Sequence, residues 1–416
     1  MSSYTKNNHI PTLRFPGFVG EWEEKTISDI AYVLQGFGFP DKYQGQTTGD
    51  LPFCKVGDIS AAVDKGERII SHAANYVNYS LLPTLHARPI PEGATIFAKI
   101  GEAIRSNKRI MTGCPCLIDN NAAAVKAKEG ESDEFIFYLM SNVNLADYAG
   151  GIVPSVNKST VETISVLIPP TIAEQKKIAS CLSNIDSLIA AQNRIVAAVK
   201  EKKKGLMQQL FPQPGETTPR LRFPGFSDEW EEKLLGEVFE KNNERNLDCT
   251  IGFEQTISIA SMTYNPSGNG AADDSLKTYK VLRIGDIAFE GHKNKDFAYG
   301  RFVMNDIGPG IISPRFTSLR PKYPLEVGFW KKLINFEPIM RSKLVNSTKM
   351  GTMMNELIVS EVLNQSLPVP SLAEQQMIAS CLSSLDDTIQ AETDKLEALK
   401  AHKKGLMQQL FPQLDK

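Results

Sequence analysis

Apolar residues recur at alternating steps of four and three along two stretches of the chain, one in each half. This spacing is typical of a helix whose apolar seam packs against a second helix. Polar residues interrupt each seam at the same two places, Gln192 and Lys203 in the first and Glu392 and Lys403 in the second. We therefore expect two long helices that pair as a coiled coil. The apolar seam positions are Ile178, Leu182, Ile185, Ile189, Val196, Val199, Leu206, Leu210, Ile378, Leu382, Leu385, Ile389, Leu396, Leu399, Leu406 and Leu410.

Capping and proline signals predict the ends of these helices. Thr171 with Glu174, and Ser371 with Glu374, match a capping box, in which each side chain bonds a free backbone N–H at the helix start. Prolines lie before each box and after each predicted helix, where they stop helical structure. The helices would be about 40 residues, or ~60 Å, long. Two single helices packed on globular cores are the alternative, but the length, the regular pattern and the matching second copy favour a pair.

The chain carries one plan twice. Three segments recur: 13–25 (LRFPGFVGEWEEK) returns at 221–233 with 11 of 13 residues identical, 172–183 returns at 372–383 with 9 of 12 identical, and KKGLMQQLFPQ occupies both 203–213 and 403–413. The two inserts that these segments enclose differ in sequence. A shared frame suggests shared partners, whereas divergent inserts suggest two different targets.

The inserts are predicted to be mixed domains with more strand than helix. Segments 94–100 and 281–289 have the β-branched and aromatic residues of strands. Because the link at 212–219 is short, we expect the second helix to run back along the first, which gives an antiparallel pair and an approximate internal two-fold axis. The predicted fold class is α+β, with two strand-rich domains separated by this helix pair. The predicted boundaries are 1–170 for the first domain, 171–212 for the first helix, 213–370 for the linker and second domain, and 371–416 for the second helix and C-terminal tail.

Each insert holds a cluster of cationic and amide side chains. Segment 97–113 carries four Lys or Arg against one acid, and segment 281–323 carries seven against four. Arg, Lys and Asn reach base edges in the major groove, and Lys and Arg also bind phosphate. Any one of these side chains could instead line a solvated loop, but for each cluster inside a repeated frame we favour contact with DNA. The candidate DNA-binding residues are Lys99, Arg105, Asn107, Lys108, Arg109, Asn157, Lys158, His292, Lys293, Asn294, Lys295, Arg301, Arg315 and Lys349.

Two of these candidate regions are loops that precede the long helices. Residues 150–160 and 347–356 are rich in Gly, Ser, Thr, Asn and Lys. They either close over a phosphate backbone or simply connect into the next strands, and the sequence leaves both interpretations open.

Composition narrows the class of protein. The chain has 416 residues, 42% of them apolar, and a net charge of −2. This charge gives no global attraction to nucleic acid, which leaves room for local basic patches or for a partner that supplies the phosphate contacts. It has no run of about 18 apolar residues and no apolar signal core at its start, which predicts a cytoplasmic protein. Cys114 and Cys116 form the one close cysteine pair, without a second pair at ligand spacing, so we expect no structural zinc and no cofactor.

Catalytic motifs are missing from the sequence. A DNA amino-methyltransferase should carry an Asn-Pro-Pro-aromatic motif, and the nearest match, NPS at 265–267, lacks the second proline. Neither G-x-G-x-x-G nor G-x-x-x-x-G-K-[ST] occurs. The sequence therefore predicts a non-catalytic protein.

The repeated motifs resemble those of a known family, the DNA-specificity subunits of type I restriction–modification systems. The resemblance is carried by LIPPTIAEQKKIASCLSNIDSLI at 167–189, by PVPSLAEQQMIASCLSSLDDTI at 368–389, and by the accompanying KKGLMQQLF and LRFPGF segments. It covers essentially the whole chain. The second copy has Pro-Val-Pro where the first has Pro-Pro, which is a small departure.

This resemblance implies a specific organisation. Each insert would be a target-recognition domain that reads one half of an asymmetric, gapped DNA site, and the antiparallel helices would set the gap. Two methyltransferase subunits would dock on the frame, and restriction–translocase subunits would join them. The subunit itself would have no catalytic activity. The alternative is a coiled-coil adaptor that binds no DNA sequence, which explains the frame but not the divergent, locally basic inserts.

Overall fold

The computed structural model describes residues 9–266, 273–292, 297–351 and 355–414. Its contacts divide the chain into two compact units. Unit 1 comprises residues 1–196 together with 392–416, and unit 2 comprises residues 197–391. Each long helix begins in one unit and ends in the other.

The chain combines short strands and helices with two helices of 39 residues each, which confirms the predicted α+β class. The helices are α1 Ile27–Ile30, α2 Val56–Asp64, α3 Leu82–Leu85, α4 Asp133–Asn142, α5 Lys158–Glu162, α6 Ile172–Leu210, α7 Leu235–Val238, α8 Val327–Leu333, α9 Glu337–Ser347, α10 Val359–Leu363 and α11 Leu372–Leu410. Single 3₁₀ turns lie at Asp41–Tyr43, Tyr79–Leu81, Glu102–Ile104, Leu145–Tyr148, Phe253–Gln255 and Asp273–Thr278.

The strands are short. Those of unit 1 are β1 Glu23–Thr26, β2 Ala31–Gln35, β3 Leu51–Cys54, β4 Ile69–Ile70, β5 Asn75–Val77, β6 Thr95–Ala98, β7 Arg109–Thr112, β8 Leu117–Ile118, β9 Ala122–Ala127 and β10 Ser165–Ile168. Those of unit 2 are β11 Glu231–Leu234, β12 Phe239–Lys241, β13 Ile257–Ser258, β14 Thr263–Tyr264, β15 Lys280–Leu282, β16 Ile287–Glu290, β17 Arg301–Met304, β18 Gly310–Ile312, β19 Ser318–Pro321, β20 Thr348–Lys349, β21 Glu356–Leu357 and β22 Ser366–Val369.

A central sheet supports each insert; four strands follow an equivalent order in the two units, and unit 1 adds a fifth strand, β4. In unit 1 the order is β2-β9-β6-β7-β4, and in unit 2 it is β12-β19-β16-β17. The expected strand at 94–100 is β6, whereas the segment 281–289 forms two strands separated by a turn at Gly285, whose φ of +87° suits glycine. The inserts therefore share a topology that their sequences do not reveal.

Both faces of each central sheet are buried. In β6, Ile96 packs into one core of unit 1 while its neighbour Phe97 packs into another. In β16, Ala288 and Phe289 likewise point into separate cores of unit 2. Because successive strand residues face opposite sides, burial of both faces requires a continuous apolar run. The middles of these two strands therefore hold no recognition surface, which leaves the strand ends and the connecting loops for polar contacts.

A two-stranded ribbon closes each insert. In unit 1, β1 pairs antiparallel with β10, and in unit 2, β11 pairs antiparallel with β22. The chain therefore enters and leaves each insert side by side, directly before the long helix begins.

Within each unit, the start of one long helix packs antiparallel to the end of the other. Ile178 and Leu182 share the core of unit 1 with Leu406 and Leu410. The core of unit 2 holds the equivalent residues of the opposite helices. All sixteen apolar seam positions are buried or half-buried.

The polar residues of the seam are paired with one another or with nearby acids. Gln192 Nε2 donates to Glu392 Oε2 at 2.6 Å, and Lys403 Nζ lies 2.6 Å from Asp186 Oδ1. In unit 2, Asp386 forms ion pairs with Lys203 and with another lysine, Lys332 of α8. In unit 1 the corresponding place beside Asp186 is taken by the hydroxyl of Tyr138, which donates to it at 2.6 Å. These pairs favour one register over its neighbours, because a slip would leave the polar groups without partners.

A buried glutamate ties the N-terminal motif of unit 1 to the frame. Glu174, at the start of α6, accepts two hydrogen bonds from Arg14, both 2.8 Å, and one from Trp22 Nε1 at 3.4 Å. The backbone N–H of Leu13 donates to Gln409 O, near the end of α11, at 3.0 Å. The LRFPGF motif thus holds the start of one long helix and the end of the other. We call this arrangement the frame clamp.

Unit 2 repeats the frame clamp with equivalent residues. Arg222 donates to Glu374 at 2.9 and 2.7 Å, and Trp230 Nε1 donates to it at 3.2 Å. The N–H of Leu221 donates to Gln209 O at 3.0 Å. The carboxylate raises the pKa of Arg222 above its usual value through these hydrogen bonds. The strongest sequence repeats therefore meet in space within each unit.

The structure forms only one half of each predicted capping box, because the frame clamp uses the glutamates. The hydroxyls of Thr171 and Ser371 do accept the N–H of Glu174 and Glu374, at 3.3 and 3.4 Å. The reciprocal half of each box is absent, because both carboxylates bind the clamp arginines instead. A buried bidentate arginine is a stronger partner for a carboxylate than a half-exposed backbone N–H.

We predict that Glu174→Ala destabilises unit 1 by about 3–5 kcal/mol, since it leaves the mostly buried Arg14 guanidinium without its counter-charge. Hydrogen exchange followed by mass spectrometry should show faster exchange in peptides around β1, β10 and the start of α6, with unit 2 unchanged. The control is Glu21→Ala, which removes an exposed carboxylate from the same motif. Equal exchange in the two variants would contradict the role given to the clamp.

Candidate nucleic-acid interface

The two cationic clusters occupy equivalent positions in the two central sheets. Lys99, Arg105, Asn107 and Lys108 of the first lie in the connection from β6 to β7, and His292 of the second lies in the connection from β16 to β17. Both connections leave the third strand, β6 or β16, of the four-strand order that the two sheets share. The clusters are therefore topological counterparts, although their sequences do not align.

In unit 1 the loop that precedes the long helix lies directly beside this connection. Gly150 and Ser155 exchange two backbone hydrogen bonds of 3.1 Å, which makes the loop a tight hairpin. Gly101 N–H donates to Pro154 O at 2.7 Å, and Val156 N–H donates to Lys99 O at 2.9 Å. We call residues 99–108 together with 150–158 the first loop surface.

Unit 2 brings the corresponding segments together. The N–H of Asn355 donates to Gly291 O at 2.8 Å, and its Nδ2 donates to Ala298 O at 3.3 Å. Lys349 lies on β20, the first strand of the hairpin that holds Asn355. We call the described residues among 290–301 and 347–357 the second loop surface.

Three cations of the first loop surface reach solvent to different degrees. Arg105 is the most open, with 67% of its side chain exposed and one ion pair, to the exposed Glu102 at 3.2 Å. Lys158 is exposed and pairs with Glu162 at 3.5 Å. Lys99 is partly buried, and burial lowers its pKa while Asp119 opposes that shift. Exposed pairs of this kind contribute little to stability, so Arg105 and Lys158 can exchange them for a phosphate or a base.

Arg109 and Asn107 instead hold the insert together. Arg109 is 6% exposed, and its guanidinium donates to the carbonyls of Met140 and Val143 at 3.3 and 3.4 Å and to Asn107 Oδ1 at 2.6 Å. Burial lowers the pKa of Arg109 to about 9, which still leaves it charged at neutral pH. Asn107 adopts a left-handed backbone with φ of +48°. The polar groups of both residues are used within the insert, so DNA binding by Arg109 or Asn107 stays a prediction.

Two further candidates have partners inside unit 1. Lys108 Nζ lies 2.7 Å from Asp64 Oδ1. Asn157 is exposed, but its side chain caps α5 by accepting the N–H of Thr160 at 2.8 Å. Asparagine is a preferred N-cap residue, so this contact alone explains its presence.

The second loop surface contains one constrained arginine and an exposed histidine. Arg301 donates to Ala260 O at 2.6 Å, and its guanidinium carbon lies 5.2 Å from the centroid of the Phe297 ring. His292 is exposed, with Nδ1 3.0 Å from Glu290 Oε1. Lys349 is exposed and has no ion pair with another described residue. The candidates Lys293, Asn294 and Lys295 lie outside the described residues.

Arg315 lies outside both loop surfaces, in the connection from β18 to β19. It is exposed and stacks on Phe316 at 5.1 Å. By contrast Arg320, which the sequence places in the same basic segment, is bound to Asp286 at 2.7 Å and also pairs with Glu244. The basic composition of segment 281–323 therefore overstates the number of cations that can meet a ligand.

Sequence reasoning missed one feature of the first loop surface, its exposed apolar tip. Ile152 is fully exposed and Val153 is 60% exposed. An alternation or periodicity test gives no signal for two apolar residues in a turn. Within the part of the chain that the structure describes, no group of three or more His, Cys, Asp or Glu is placed to hold a metal ion. No described helix is both long and apolar enough to cross a membrane.

Comparison with known proteins identifies the family. The model of the type I restriction modification DNA specificity domain matches the chain twice, over residues 20–201 and 227–401, and the chain belongs to this family. The first match begins in the frame clamp of unit 1 and the second in that of unit 2. The duplicated plan thus corresponds to two specificity domains in one chain.

Curated relatives and solved structures agree with this assignment. The type I restriction enzyme MjaVIII specificity subunit of Methanocaldococcus jannaschii is 26% identical over 308 residues, 67% of this chain and 69% of the relative. The MjaIX specificity subunit of the same organism is 22% identical over 424 residues, 94% and 92% of the two chains. The S subunit structure from M. genitalium aligns with a TM-score of 0.59 at 12% identity, covering 97% of this chain and all of that one. A structure from work on type I R-M complex assembly aligns with a TM-score of 0.52 at 17% identity, covering 96% and 99%. At these sequence identities, the two structures support the assignment of the fold alone.

We predict that substitution of Arg109 lowers the stability of unit 1 much more than substitution of its neighbour Arg105. Arg109→Met should lower the free energy of unfolding by about 2–4 kcal/mol, because it leaves several buried carbonyl oxygens without donors. Arg105→Ala, its matched control, should change stability by no more than about 0.5 kcal/mol. Urea unfolding, with hydrogen exchange to assign the change to unit 1, measures both. Similar stability losses for the two variants would contradict the distinction drawn between them.

Proposed function

We propose that this chain is the DNA-specificity subunit of a type I restriction–modification complex, in which each unit reads one half of an asymmetric, gapped DNA site. The observation that carries the proposal is the combination of identical frame clamps with different loop surfaces. A protein that recognises two different half-sites needs the same frame in both units but different contacts with the DNA.

The proposed contacts lie on the two loop surfaces and at one further position. Arg105, Lys158 and Lys99 are the candidates in unit 1, with Asn157 positioning the start of α5. The candidates in unit 2 are His292, Arg301, Arg315 and Lys349, and the predictions for Lys293, Asn294 and Lys295 remain as the sequence made them. Arginine and lysine serve both phosphate and guanine, so this set accommodates positioning as well as base readout.

The frame is proposed to bind protein partners. Gln208 and Gln408 are exposed at identical positions of the repeated KKGLMQQLF segment. Two equal surfaces suit two copies of one partner, and we assign them to two methyltransferase subunits, with restriction–translocase subunits joining in the full complex. The helix pair is proposed to set the gap between the half-sites.

The chain is proposed to leave catalysis and much of the DNA grip to its partners. Its net charge is −2, whereas binding that depends on phosphate neutralisation needs a surplus of cations. We assign the chemistry to the methyltransferase and restriction subunits and place the complex in the cytoplasm with the host DNA.

A selection experiment tests this function against a coiled-coil adaptor without sequence readout. The chain, purified with its methyltransferase subunits, is mixed with a library of randomised duplexes, and the bound fraction is sequenced. We expect two short preferred sequences separated by a constant gap. Binding without sequence preference would favour the adaptor.

The Arg105→Ala variant, put through the same selection, separates base readout by Arg105 from phosphate contact. If Arg105 reads a base, the preference should weaken at one position of one half-site by about 1–3 kcal/mol, while the other half-site stays the same. Uniform weakening over all sequences would assign Arg105 to phosphate instead.

A further inference from the structure

The tip of the first loop surface is apolar and unpartnered, which is unusual for a loop among cations. Ile152 is fully exposed and Val153 is 60% exposed, next in sequence to Pro154. Exposed single apolar residues are common, but two adjacent ones at the apex of a hairpin form a contact surface rather than a scattered exposure.

The hairpin that carries this tip is held firmly. Its base is closed by the two hydrogen bonds between Gly150 and Ser155, and its flank is bonded to the β6–β7 connection through Gly101 and Lys99. The tip therefore keeps a fixed relation to Lys99 and to the exposed Arg105, which follows Gly101 by four residues. A firmly held tip loses little conformational entropy when it binds a partner.

The chemistry of duplex DNA decides what an apolar tip can contact. Phosphate oxygens are strongly hydrated and offer nothing to isoleucine or valine. In the major groove, the apolar group on the base edges is the 5-methyl of thymine, and small apolar side chains recognise it. Insertion between stacked bases is also known for isoleucine, but it requires unstacking. A thymine methyl can be reached without distortion, with the neighbouring cations on the backbone.

We propose that Ile152 and Val153 recognise a thymine methyl group in the half-site read by unit 1. This inference rests on the proposed function and deepens it, because it names an apolar base contact beside the cationic ones. The hairpin of unit 2 offers a parallel, since Met350 is exposed next to β20. A protein partner is the competing occupant, but the position of the tip on the same surface as Lys99 and Arg105 favours DNA.

The test uses the complete complex of this chain with its methyltransferase subunits and the duplex site obtained from the selection. Each thymine of the site is replaced in turn by deoxyuridine, which removes only the 5-methyl group. For one thymine of the unit 1 half-site, the wild-type complex should bind about fourfold more weakly. Ile152→Ala should weaken binding of the unmodified site by a similar factor and should be insensitive to that deoxyuridine.

Salt dependence separates this contact from a phosphate contact. The slope of log K against log salt should be the same for Ile152→Ala and wild type, because no counterion is released by an apolar contact, whereas losing a phosphate contact lowers the slope by about one. Val19→Ala is the matched control, since Val19 is 83% exposed in the same unit but lies directly after the LRFPGF segment. It should leave binding unchanged.

Several results would overturn the inference while leaving the proposed function intact. They are a unit 1 half-site without thymine, wild-type affinity for Ile152→Ala, or equal deoxyuridine effects in both complexes. Increased 2-aminopurine fluorescence beside the tip that depends on Ile152 would assign it to insertion between bases. Loss of methyltransferase binding by Ile152→Asp would assign it to a protein interface. By contrast, a wild-type complex without any sequence preference would contradict the proposed function itself.

Discussion

The frame clamp is the interaction on which the remaining structure depends. A buried carboxylate at the start of each long helix is held by an arginine and a tryptophan from a segment about 150 residues earlier in the chain. The same segment donates a backbone hydrogen bond to the end of the opposite helix. One short motif therefore joins three distant parts of the chain in each unit. Its burial makes it costly to break, since either charge would be left alone in a low-dielectric core.

Aromatic packing extends each clamp into its insert. In unit 1, the ring centroids of Trp22 and of Phe135 in α4 are 6.0 Å apart. The Phe135 ring stacks on that of Phe411, with 5.5 Å between centroids. In unit 2, the ring centroids of Trp230 and of Phe329 in α8 are 6.0 Å apart, and those of Phe329 and Phe211 are 5.8 Å apart. The frame residues are identical in the two copies while the insert supplies a phenylalanine from its own helix. An insert can thus change in sequence provided that it keeps an aromatic residue at this contact.

Burial of both sheet faces determines where recognition chemistry can lie. Residues such as Ile96 and Phe97 fill both faces of the central strands, so variable polar groups lie at strand ends such as Arg301, in the strand connections and in the loop before each long helix. In each unit, hydrogen bonds join the described residues of these two segments. This explains how divergent inserts can offer different contacts without disturbing a common core.

The frame could be predicted from sequence because heptad spacing, repeats and prolines are local signals. The partner of Glu174 could not, since its arginine lies 160 residues away and a capping interaction is the nearer choice. The members of the predicted cationic cluster have different surroundings: Arg105 reaches solvent, whereas Arg109, four residues later on β7, is buried beneath backbone carbonyls. Sequence proximity does not distinguish these two, because Arg105 lies in the loop that follows a 3₁₀ turn, whereas Arg109 is the first residue of β7.

The shared sheet order of the inserts was also beyond sequence reasoning, because strand pairing over long separations leaves no periodic signal when the residues differ. The apolar tip at Ile152 was missed for a related reason. A turn is expected to be polar, and nothing in the local pattern indicates that two of its apolar side chains stay exposed.

Exchange of one insert for the other tests the central claim most directly. The variant carries a second copy of residues 235–370 in place of residues 27–170, which keeps both frame clamps and both long helices. Methylated positions in the DNA of a host that supplies the methyltransferase subunits would then be sequenced. Our interpretation predicts a site with two copies of the half-site normally read by unit 2, at an unchanged gap. A variant that assembles with its partners but still methylates the original asymmetric site would contradict it.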